Sequence, residues 1–331
     1  MLRHGESQTC AMGGALASRT SRQKRRGILE YVDTRWTNMK EFKGKTALIT
    51  GAAYGFGKEF VKQAAKRGMK IVAVDIMGDE LAKLEDIAKE CGAEDITLIT
   101  ADVGIYEETE KVVNTALEKY GTIDILMNNA GVAVPGNGYN LPLRDWEWIV
   151  QTNFMSHVYF MRQVIPIMIK QGTHCNIMNT CSVAGVINWI GMVPYYATKH
   201  AAVALAESIN YELQAIGADI AMGVFCPGYV QTNLDHSEWY RPERFKDETD
   251  PYYQSEEFMK GQAEAKHVIE TGLPIEGHAE QVWEAIEEDR FYVLPHEKYD
   301  GFLKLQTAEK LQRKSPNLKE VMALLKGGES K

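Results

Sequence analysis

The stretch SVAGVINWIGMVPYYATKH, which runs from 182 to 200, contains a serine, two adjacent tyrosines and a lysine. Tyr195 and Lys199 are four residues apart, so a helix would put them on one face. Tyr196 and Lys199 are three apart, and spacing alone permits that pair as well. A phenol beside an ammonium and a hydroxyl can exchange a proton with a substrate oxygen. The plainer interpretation is the polar edge of an amphipathic helix, and the rest of the chain decides between the two.

A glycine-rich turn, TGAAYGFGKEF, joins the first predicted strand to the first predicted helix. Its glycines Gly51, Gly55 and Gly57 permit a tight turn, and the helix N-terminus offers amides to a pyrophosphate. Asp75 closes the next strand, where a carboxylate accepts hydrogen bonds from ribose hydroxyls and repels a 2′-phosphate. The two residues after it supply no cation. This pattern favours NAD over NADP, although Asp75 could equally cap the strand–helix turn.

Strand-like runs alternate with helical stretches along most of the chain. Such alternation predicts parallel strands with right-handed crossovers. We therefore expect an α/β fold: a single Rossmann-like, doubly wound parallel sheet with helices on both faces, forming one domain over 41–331. The predicted strands are KTALIT (45–50), KIVAVD (70–75), ITLITAD (96–102), IDILMNNAG (123–131), CNIMNTCS (175–182), DIAMGVFCPG (219–228) and FYVLP (291–295).

Composition limits the classes of protein that the chain can belong to. It has 331 residues, 45% hydrophobic and 25% charged, which is typical of a soluble globular protein. Its net charge of −8 argues against nucleic-acid binding, and no apolar run is long enough to cross a membrane. Five cysteines without a CxxC motif indicate a reducing compartment, and we expect a cytoplasmic protein. The histidines show no ligand spacing, so no catalytic metal is expected.

The first forty residues differ from the rest. Residues 1–39 carry seven basic and three acidic side chains, whereas the whole chain is acidic. They lack the apolar core of a secretory signal. We expect 1–40 to be a basic arm that packs on the acidic body of its own or a neighbouring subunit. A dispensable extension before the first strand is the alternative.

Five motifs occur in one order: TGAAYGFG (50–57), AD (101–102), NNAG (128–131), Ser182 with YYATK (195–199), and PGYVQT (227–232). Together they resemble the short-chain dehydrogenase/reductase family, over roughly 42–295. The resemblance implies an NAD(H)-dependent oxidoreductase. It maps the family's YxxxK motif onto Tyr195 and Lys199, with Tyr196 at a variable position. It also implies a catalytic set of Asn153, Ser182, Tyr195 and Lys199.

The resemblance implies a set of cofactor contacts as well. Asp102 and Val103 would meet the adenine, Asn129 and Gly131 would line the floor, and 227–232 would meet the nicotinamide. The expected cofactor-binding residues are Gly51, Tyr54, Gly55, Phe56, Gly57, Asp75, Asp102, Val103, Asn129, Gly131, Tyr195, Lys199, Pro227, Gly228, Val230 and Thr232.

The implied chemistry needs a tyrosine that exchanges protons near neutral pH. A free tyrosine titrates at about pH 10, so a neighbouring cation must favour its phenolate. We expect Tyr195 to be the proton donor and acceptor and Lys199 to lower its pKa while holding the nicotinamide ribose. Ser182 would donate a hydrogen bond to the substrate oxygen, and Asn153 would hold a water that links Lys199 to solvent.

The segment at about 231–277 corresponds to the substrate lid of the family. Its aromatic and methionine content, with Trp189, Met192 and Tyr229 nearby, suggests a large apolar ketone or alcohol, namely a steroid. The long lid and extended N-terminus are similar to those of bacterial 20β-hydroxysteroid dehydrogenases. The alternatives are a reductase of acyl or polyol substrates and a non-catalytic NAD-binding regulator.

The stretch 154–171 is apolar nearly all round, which indicates a helix that is buried on more than one side. The sheet would cover one side. We expect a second subunit to cover the other, in a homodimer or homotetramer, with burial inside one large subunit as the alternative.

Overall fold

The computed structural model describes residues 39–247 and 249–328. The predicted basic arm therefore lies outside the described residues, except for its last two positions. Met39 is buried in the core, so the described chain packs on the body from its first residue.

Seven parallel strands form one sheet in the order β3-β2-β1-β4-β5-β6-β7. The predicted fold class is confirmed: one parallel sheet flanked by helices. The strands are β1 (Thr46–Thr50), β2 (Lys70–Asp75), β3 (Asp95–Thr100), β4 (Ile125–Asn128), β5 (Cys175–Thr180), β6 (Ile220–Phe225) and β7 (Tyr292–Val293).

Eleven α-helices are assigned within the described residues. A π-helical turn, Gln151–Met155, joins the fifth to the sixth, and short 3₁₀ turns fill much of the segment between β6 and the eighth. The helices are α1 (Gly55–Lys66), α2 (Gly78–Ala82), α3 (Leu84–Cys91), α4 (Tyr106–Tyr120), α5 (Leu143–Val150), α6 (Ser156–Gln171), α7 (Val193–Ile216), α8 (Glu256–Glu270), α9 (His278–Glu287), α10 (Asp300–Leu311) and α11 (Leu318–Gly328).

Strand side chains alternate between the two faces of the sheet, and helices cover both faces, so both are buried. Ala47 and Ile49 join a core with α1, α3 and α9, in which Trp283 is fully buried. Leu48 points to the other face, into a core with α4, α6 and α7 that includes Phe160. The short apolar runs of the sequence thus become strands covered on both sides.

Several element bounds differ from the sequence prediction. Between β2 and β3 the sequence pattern predicts one helix, around 80–90, but the structure has two. They meet at Lys83, whose N–H donates to the carbonyl of Glu80 in a tighter turn, and both Leu81 and Leu84 are buried. The last predicted strand, 291–295, shortens to Tyr292–Val293. Helices α10 and α11 continue the chain beyond the predicted elements. Within the described residues, no helix has the length and apolarity needed to span a membrane.

The strand order reverses between β1 and β4, and this is where ligands bind in open parallel sheets. The loops that follow β1, β2, β4, β5 and β6 all leave the same carboxyl edge. A third apolar cluster, with Val132, Trp148, Tyr195 and Phe245, packs above that edge. The motifs that are scattered along the sequence are therefore brought together on one side of the sheet.

Candidate active site

The glycine turn after β1 is built for close backbone approach. A Cβ at Gly57 would lie 1.9 Å from the carbonyl oxygen of Gly51, and Gly51 and Gly55 have positive φ angles of 62° and 49°. Asn129 holds this turn by donating to the carbonyls of Thr50 (2.9 Å) and Gly51 (3.2 Å). The turn opens α1, and the residue before α1 makes no side-chain cap to its first amides. An anionic group such as a pyrophosphate fits this helix start.

The Asp75 carboxylate lies beside the turn. It accepts hydrogen bonds from the backbone N–H groups of Ala53 and Met77, each at 2.9 Å. Burial raises the pKa of Asp75. The expected capping role is therefore present, and the lone pairs that these bonds leave free suit the two hydroxyls of a ribose.

The two positions expected to meet an adenine lie beyond Asp75. Asp102 follows β3, the neighbour of β2, and its carboxylate accepts from the N–H of Gly104 at 2.9 Å. Its own N–H donates to Glu108 at 2.6 Å. Val103 is buried beside it. These hydrogen bonds thus fix the Asp102 carboxylate at the end of the site that is expected to meet the adenine.

Ser182, Tyr195 and Lys199 converge where β5 and α7 meet. The Ser182 hydroxyl accepts from the N–H of Ala184 (3.1 Å) and donates to the carbonyl of Pro227 (3.3 Å). The Lys199 ammonium donates to the carbonyl of Thr180 at 2.9 Å and lies 5.6 Å from the centroid of the Tyr195 ring. The structure thus brings together the three residues that the sequence analysis grouped.

Tyr195, rather than Tyr196, has the neighbours of an acid–base group. The Tyr195 hydroxyl interacts with Ser182, and this contact lowers its pKa, whereas no such contact acts on Tyr196 among the described residues. Burial nevertheless raises the pKa of Tyr195 overall, and burial lowers the pKa of Lys199. The direction for Tyr195 is opposite to the one expected, because in the protein alone the desolvation of the phenolate outweighs the effect of the Ser182 hydroxyl.

Asn153 lies in the π-helical turn between α5 and α6 and is fully buried. Its side-chain oxygen accepts from the N–H of Val132, and its amide donates to the carbonyl of the same residue, both at 2.8 Å. A Cβ at Gly131 would lie 3.3 Å from the Lys199 nitrogen and 3.5 Å from the Asn153 oxygen. Asn153 therefore fixes the loop after β4 beside Lys199, and its role in holding a water stays a prediction.

Two histidines hold the loop after β6. The N–H of Gly228 donates to Nδ1 of His296 at 2.7 Å, so His296 carries its proton on Nε2. That nitrogen lies 2.9 Å from Nε2 of His278, whose Nδ1 faces the carbonyl of Ile275 at 3.2 Å. Burial lowers the pKa of His296 to about 4. The two imidazoles thus connect the expected nicotinamide loop to the C-terminal end of the lid.

One cavity of about 210 Å³ runs along this carboxyl edge. It is lined by the predicted site residues, with three exceptions. Gly57 and Asn153 support the lining from behind, and Trp189 packs against Phe302 instead, with ring centroids 6.3 Å apart. The expectation that Trp189 contacts the substrate is therefore not supported by the geometry. Met192 and Tyr229 do line the cavity.

The lid, 231–277, closes over the cavity through contacts that the sequence did not indicate. Arg241 donates to Asp145 at 2.6 Å and to Glu238 at 2.7 Å, and its guanidinium lies 4.1 Å from the Trp148 ring. Ser237 accepts from the N–H of Ala133 at 2.8 Å. Asp145 and Arg241 are almost a hundred residues apart, and no spacing or motif connects them.

The aromatic residues of the lid have several different roles. Tyr240 lines the cavity, while Trp239 and Met259 are 54% and 59% exposed. Tyr253 packs on Phe258, with ring centroids 5.4 Å apart. Only part of the apolar content that suggested a steroid therefore lines the cavity.

The parallel sheet and the residues grouped at its carboxyl edge together define an oxidoreductase of the dinucleotide-binding class. A family model described as short chain dehydrogenase matches residues 45–242. The "CLA biosynthesis dehydrogenase/reductase" of Lactiplantibacillus plantarum is 49% identical over 265 residues, which are 80% of this chain and 92% of that relative. The "3beta-hydroxysteroid dehydrogenase 2" of Eggerthella lenta is 31% identical over 196 residues, 58% of this chain and 73% of that relative.

Solved structures agree with this assignment. A short chain dehydrogenase/reductase from Burkholderia phymatum, crystallised in complex with NAD, has a TM-score of 0.81 and 32% identity. The match covers 84% of this chain and 98% of that one. The chain therefore belongs to the short chain dehydrogenase family, and it is an oxidoreductase of that family.

Proposed function

We propose that this enzyme interconverts a secondary alcohol and a ketone on a large apolar substrate, with NAD(H) as cofactor. The observation that carries the proposal is the convergence of Ser182, Tyr195 and Lys199 on a cavity that continues to the glycine turn and Asp75. One cavity thus connects residues that can exchange a proton with residues that can bind a dinucleotide. This arrangement suits hydride transfer that is coupled to proton transfer.

The cofactor is NAD(H). The residues present fit it. Gly57 permits the tight turn that presents the start of α1 to a pyrophosphate, since a Cβ there would collide with the Gly51 carbonyl, and Asp75 suits ribose hydroxyls but repels a 2′-phosphate. The relative crystallised with NAD supports this choice. Gly51, Gly55 and Asp75 would hold the adenosine half, and Lys199 and the loop 227–232 the nicotinamide half.

The residues divide the chemistry among them. When bound, the nicotinamide supplies the hydride exchange. Tyr195 exchanges the proton of the substrate oxygen, and Ser182 donates a hydrogen bond to the same oxygen as charge develops on it. Lys199 favours the phenolate of Tyr195 electrostatically, and a positively charged nicotinamide nearby would offset the desolvation that raises its pKa.

Two substrate classes fit an apolar cavity wall that includes Trp148, Met192, Leu234 and Ile269. A hydroxysteroid or oxosteroid, of the kind that 20β-hydroxysteroid dehydrogenases use, gains support from the relative in Eggerthella lenta. A hydroxy or oxo fatty acid gains support from the more similar relative, a dehydrogenase/reductase of CLA biosynthesis, where CLA is the common abbreviation of conjugated linoleic acid. A fatty acid belongs to the acyl substrates of the alternative prediction, so this alternative has stronger support than a steroid. No observation favours a polyol.

A substrate panel tests the proposal. NADH consumption would be measured with steroid ketones oxidised at different carbons, oxo fatty acids, short ketones and sugars. We expect turnover with at least one of the two apolar classes and little with short ketones or sugars. Activity confined to sugars or short ketones would contradict the apolar substrate, and NADPH preference would contradict the cofactor.

The assembly and location are proposals too. Helix α6 packs on α4, where the rings of Tyr106 and Tyr159 lie 5.3 Å apart, and Ile169 at its far end is 45% exposed. We expect these helices to pair across a homodimer or homotetramer, which light scattering would measure. The four cysteines of the described residues are unpaired, which supports a cytoplasmic location.

A further inference from the structure

The lid extends to the end of the cavity where Asp75 and Asp102 lie. Leu234, Tyr240 and Pro242 line the cavity together with Asp75 and Asp102. A lid that served the substrate alone would end near the catalytic set. This one continues to the carboxylate that follows β3.

The lid is firmly attached where it crosses this end. Arg241 is buried, and its ion pair with buried Asp145 is 2.6 Å long. Phe245 is buried in the apolar cluster above the sheet edge, together with Trp148. These two anchors lie on either side of Arg244, so its backbone position is fixed by packing on both sides.

Arg244 extends from this anchored segment to Asp102. Its guanidinium donates to one carboxylate oxygen of Asp102, while the other accepts from the N–H of Gly104 at 2.9 Å. A Cβ at Gly104 would lie 3.2 Å from the Arg244 guanidinium, which also stacks 4.5 Å from the Phe245 ring. Each carboxylate oxygen keeps a lone pair that can accept from a ligand amine.

The topology indicates which part of a dinucleotide reaches this position. The pyrophosphate fits the start of α1, and the ribose fits Asp75 at the end of β2. β3 is the next strand outward, and Asp102 follows it by two residues. The base attached to that ribose would therefore lie near Asp102 and Arg244.

Tyr240 offers a second observation at the same end. Its hydroxyl is enclosed and has no hydrogen-bond partner among the described residues. Its ring lies 5.8 Å from the ring of Tyr54 in the glycine turn. An enclosed phenol without a partner beside the cavity is a donor or acceptor available to a bound molecule.

From these contacts we infer that the lid is also a cofactor cover, and that Arg244 clamps the adenosine end of NAD(H) by bridging the lid to Asp102. This rests on the proposed use of NAD(H). Arg244 acts as an affinity-determining residue: it orients the Asp102 carboxylate toward the base and closes the exit. Retention of the cofactor then depends on the lid, whereas the proton transfer at Tyr195 does not.

The test compares Arg244→Gln with Lys246→Gln, another lid cation, whose ammonium forms an ion pair with Glu243 at 3.1 Å and with no other carboxylate of the described residues. Calorimetry would measure the Kd of ADP-ribose and of NADH for each purified full-length protein. We expect Arg244→Gln to weaken both by about tenfold or more, or roughly 1.4 kcal/mol, and to speed NADH release. Lys246→Gln should match the wild type, and Arg244→Lys should fall between.

Reduced nicotinamide mononucleotide separates the clamp from a purely structural role of Arg244. This compound lacks the adenosine, so the clamp predicts that its kcat/KM is equal in the wild type and Arg244→Gln, whereas a structural role predicts that its kcat/KM falls in the variant. Unchanged ADP-ribose binding in Arg244→Gln would overturn the clamp, and tighter binding would mean that Arg244 competes with the base. A wild-type protein that binds neither NADH nor ADP-ribose would instead contradict the proposed cofactor.

Discussion

The Lys199 ammonium lies 5.6 Å from the centroid of the Tyr195 ring, one helical turn along α7. Its only hydrogen bond within the described residues goes to the carbonyl of Thr180 at 2.9 Å. The cation thus keeps donor capacity free on the side of the cavity, where the phenol and a ribose would meet it.

Replacing this cation should change both rate and pH dependence. Lys199→Met removes the charge that favours the Tyr195 phenolate, so we expect kcat to fall by about 10²-fold or more and the pH–rate profile of the oxidation to move to higher pH. Lys199→Arg keeps the charge and should retain part of the rate. A profile unchanged in Lys199→Met would show that Lys199 does not set the pKa of the acid–base group.

Asp75 should determine the choice between NADH and NADPH. Asp75→Ala removes the acceptor for the ribose hydroxyls and the repulsion of a 2′-phosphate, so the ratio of kcat/KM for NADPH to that for NADH should rise by about tenfold or more. The ratio is the appropriate measurement because loss of the bonds to Ala53 and Met77 affects both cofactors. Exposed Asp79 provides the control, since Asp79→Ala should leave the ratio unchanged.

The glycine turn should tolerate no side chain at Gly57. A Cβ there would overlap the Gly51 carbonyl at 1.9 Å, so Gly57→Ala should lower the free energy of unfolding by about 2 kcal/mol or more and abolish NADH binding. Gly301 in α10 has open space around it, and Gly301→Ala should be neutral or stabilising by up to about 1 kcal/mol. Thermal unfolding and NADH titration of both variants check this, and a stable, NADH-binding Gly57→Ala enzyme would refute it.

Buried histidines should make the fold sensitive to acid. Burial lowers the pKa of His157 to about 3, and both of its ring nitrogens lack partners among the described residues. The folded state therefore binds this proton more weakly than the unfolded chain, whose histidines titrate near pH 6.5. The stability from neutral His157 is complete above about pH 6.5 and is lost progressively as the pH falls toward 3.

Urea unfolding at several pH values measures this effect. His157→Leu removes the titrating group and the unpartnered nitrogens, so its stability should fall less steeply than that of the wild type between pH ~6.5 and ~4. Each pKa unit corresponds to about 1.4 kcal/mol. Parallel curves for the two proteins would mean that His157 is already protonated or hydrated in the folded state.

Much of the fold could be predicted because its signals are local. A few residues are enough to predict the apolar strands β1, β2, β5 and β6 and the glycine turn after β1. Parallel topology then requires these loops to meet at one edge, so the grouping of Ser182 with the glycine turn also followed. The split at Lys83 did not, because the pattern of apolar residues around it fits one helix or two.

The parts that sequence reasoning missed depend on long-range contacts. Arg241 meets Asp145, and His296 meets Gly228, across 96 and 68 residues. Trp189 was assigned to the cavity from its distance to Ser182 along the chain, but it packs on Phe302 of α10, an element that the sequence analysis did not predict. The pKa of Tyr195 was expected to fall, and only the structure reveals how strongly burial opposes that.

The most direct test of the account is the turnover of Tyr195→Phe beside Tyr196→Phe, with NADH binding measured on both. Loss of the Tyr195 hydroxyl should reduce kcat by at least about 10²-fold while the Kd of NADH stays near that of the wild type. Tyr196→Phe should keep most of the activity, since its hydroxyl interacts with neither Ser182 nor Lys199 in the described residues. A Tyr195→Phe enzyme that turns over at the wild-type rate would contradict the account.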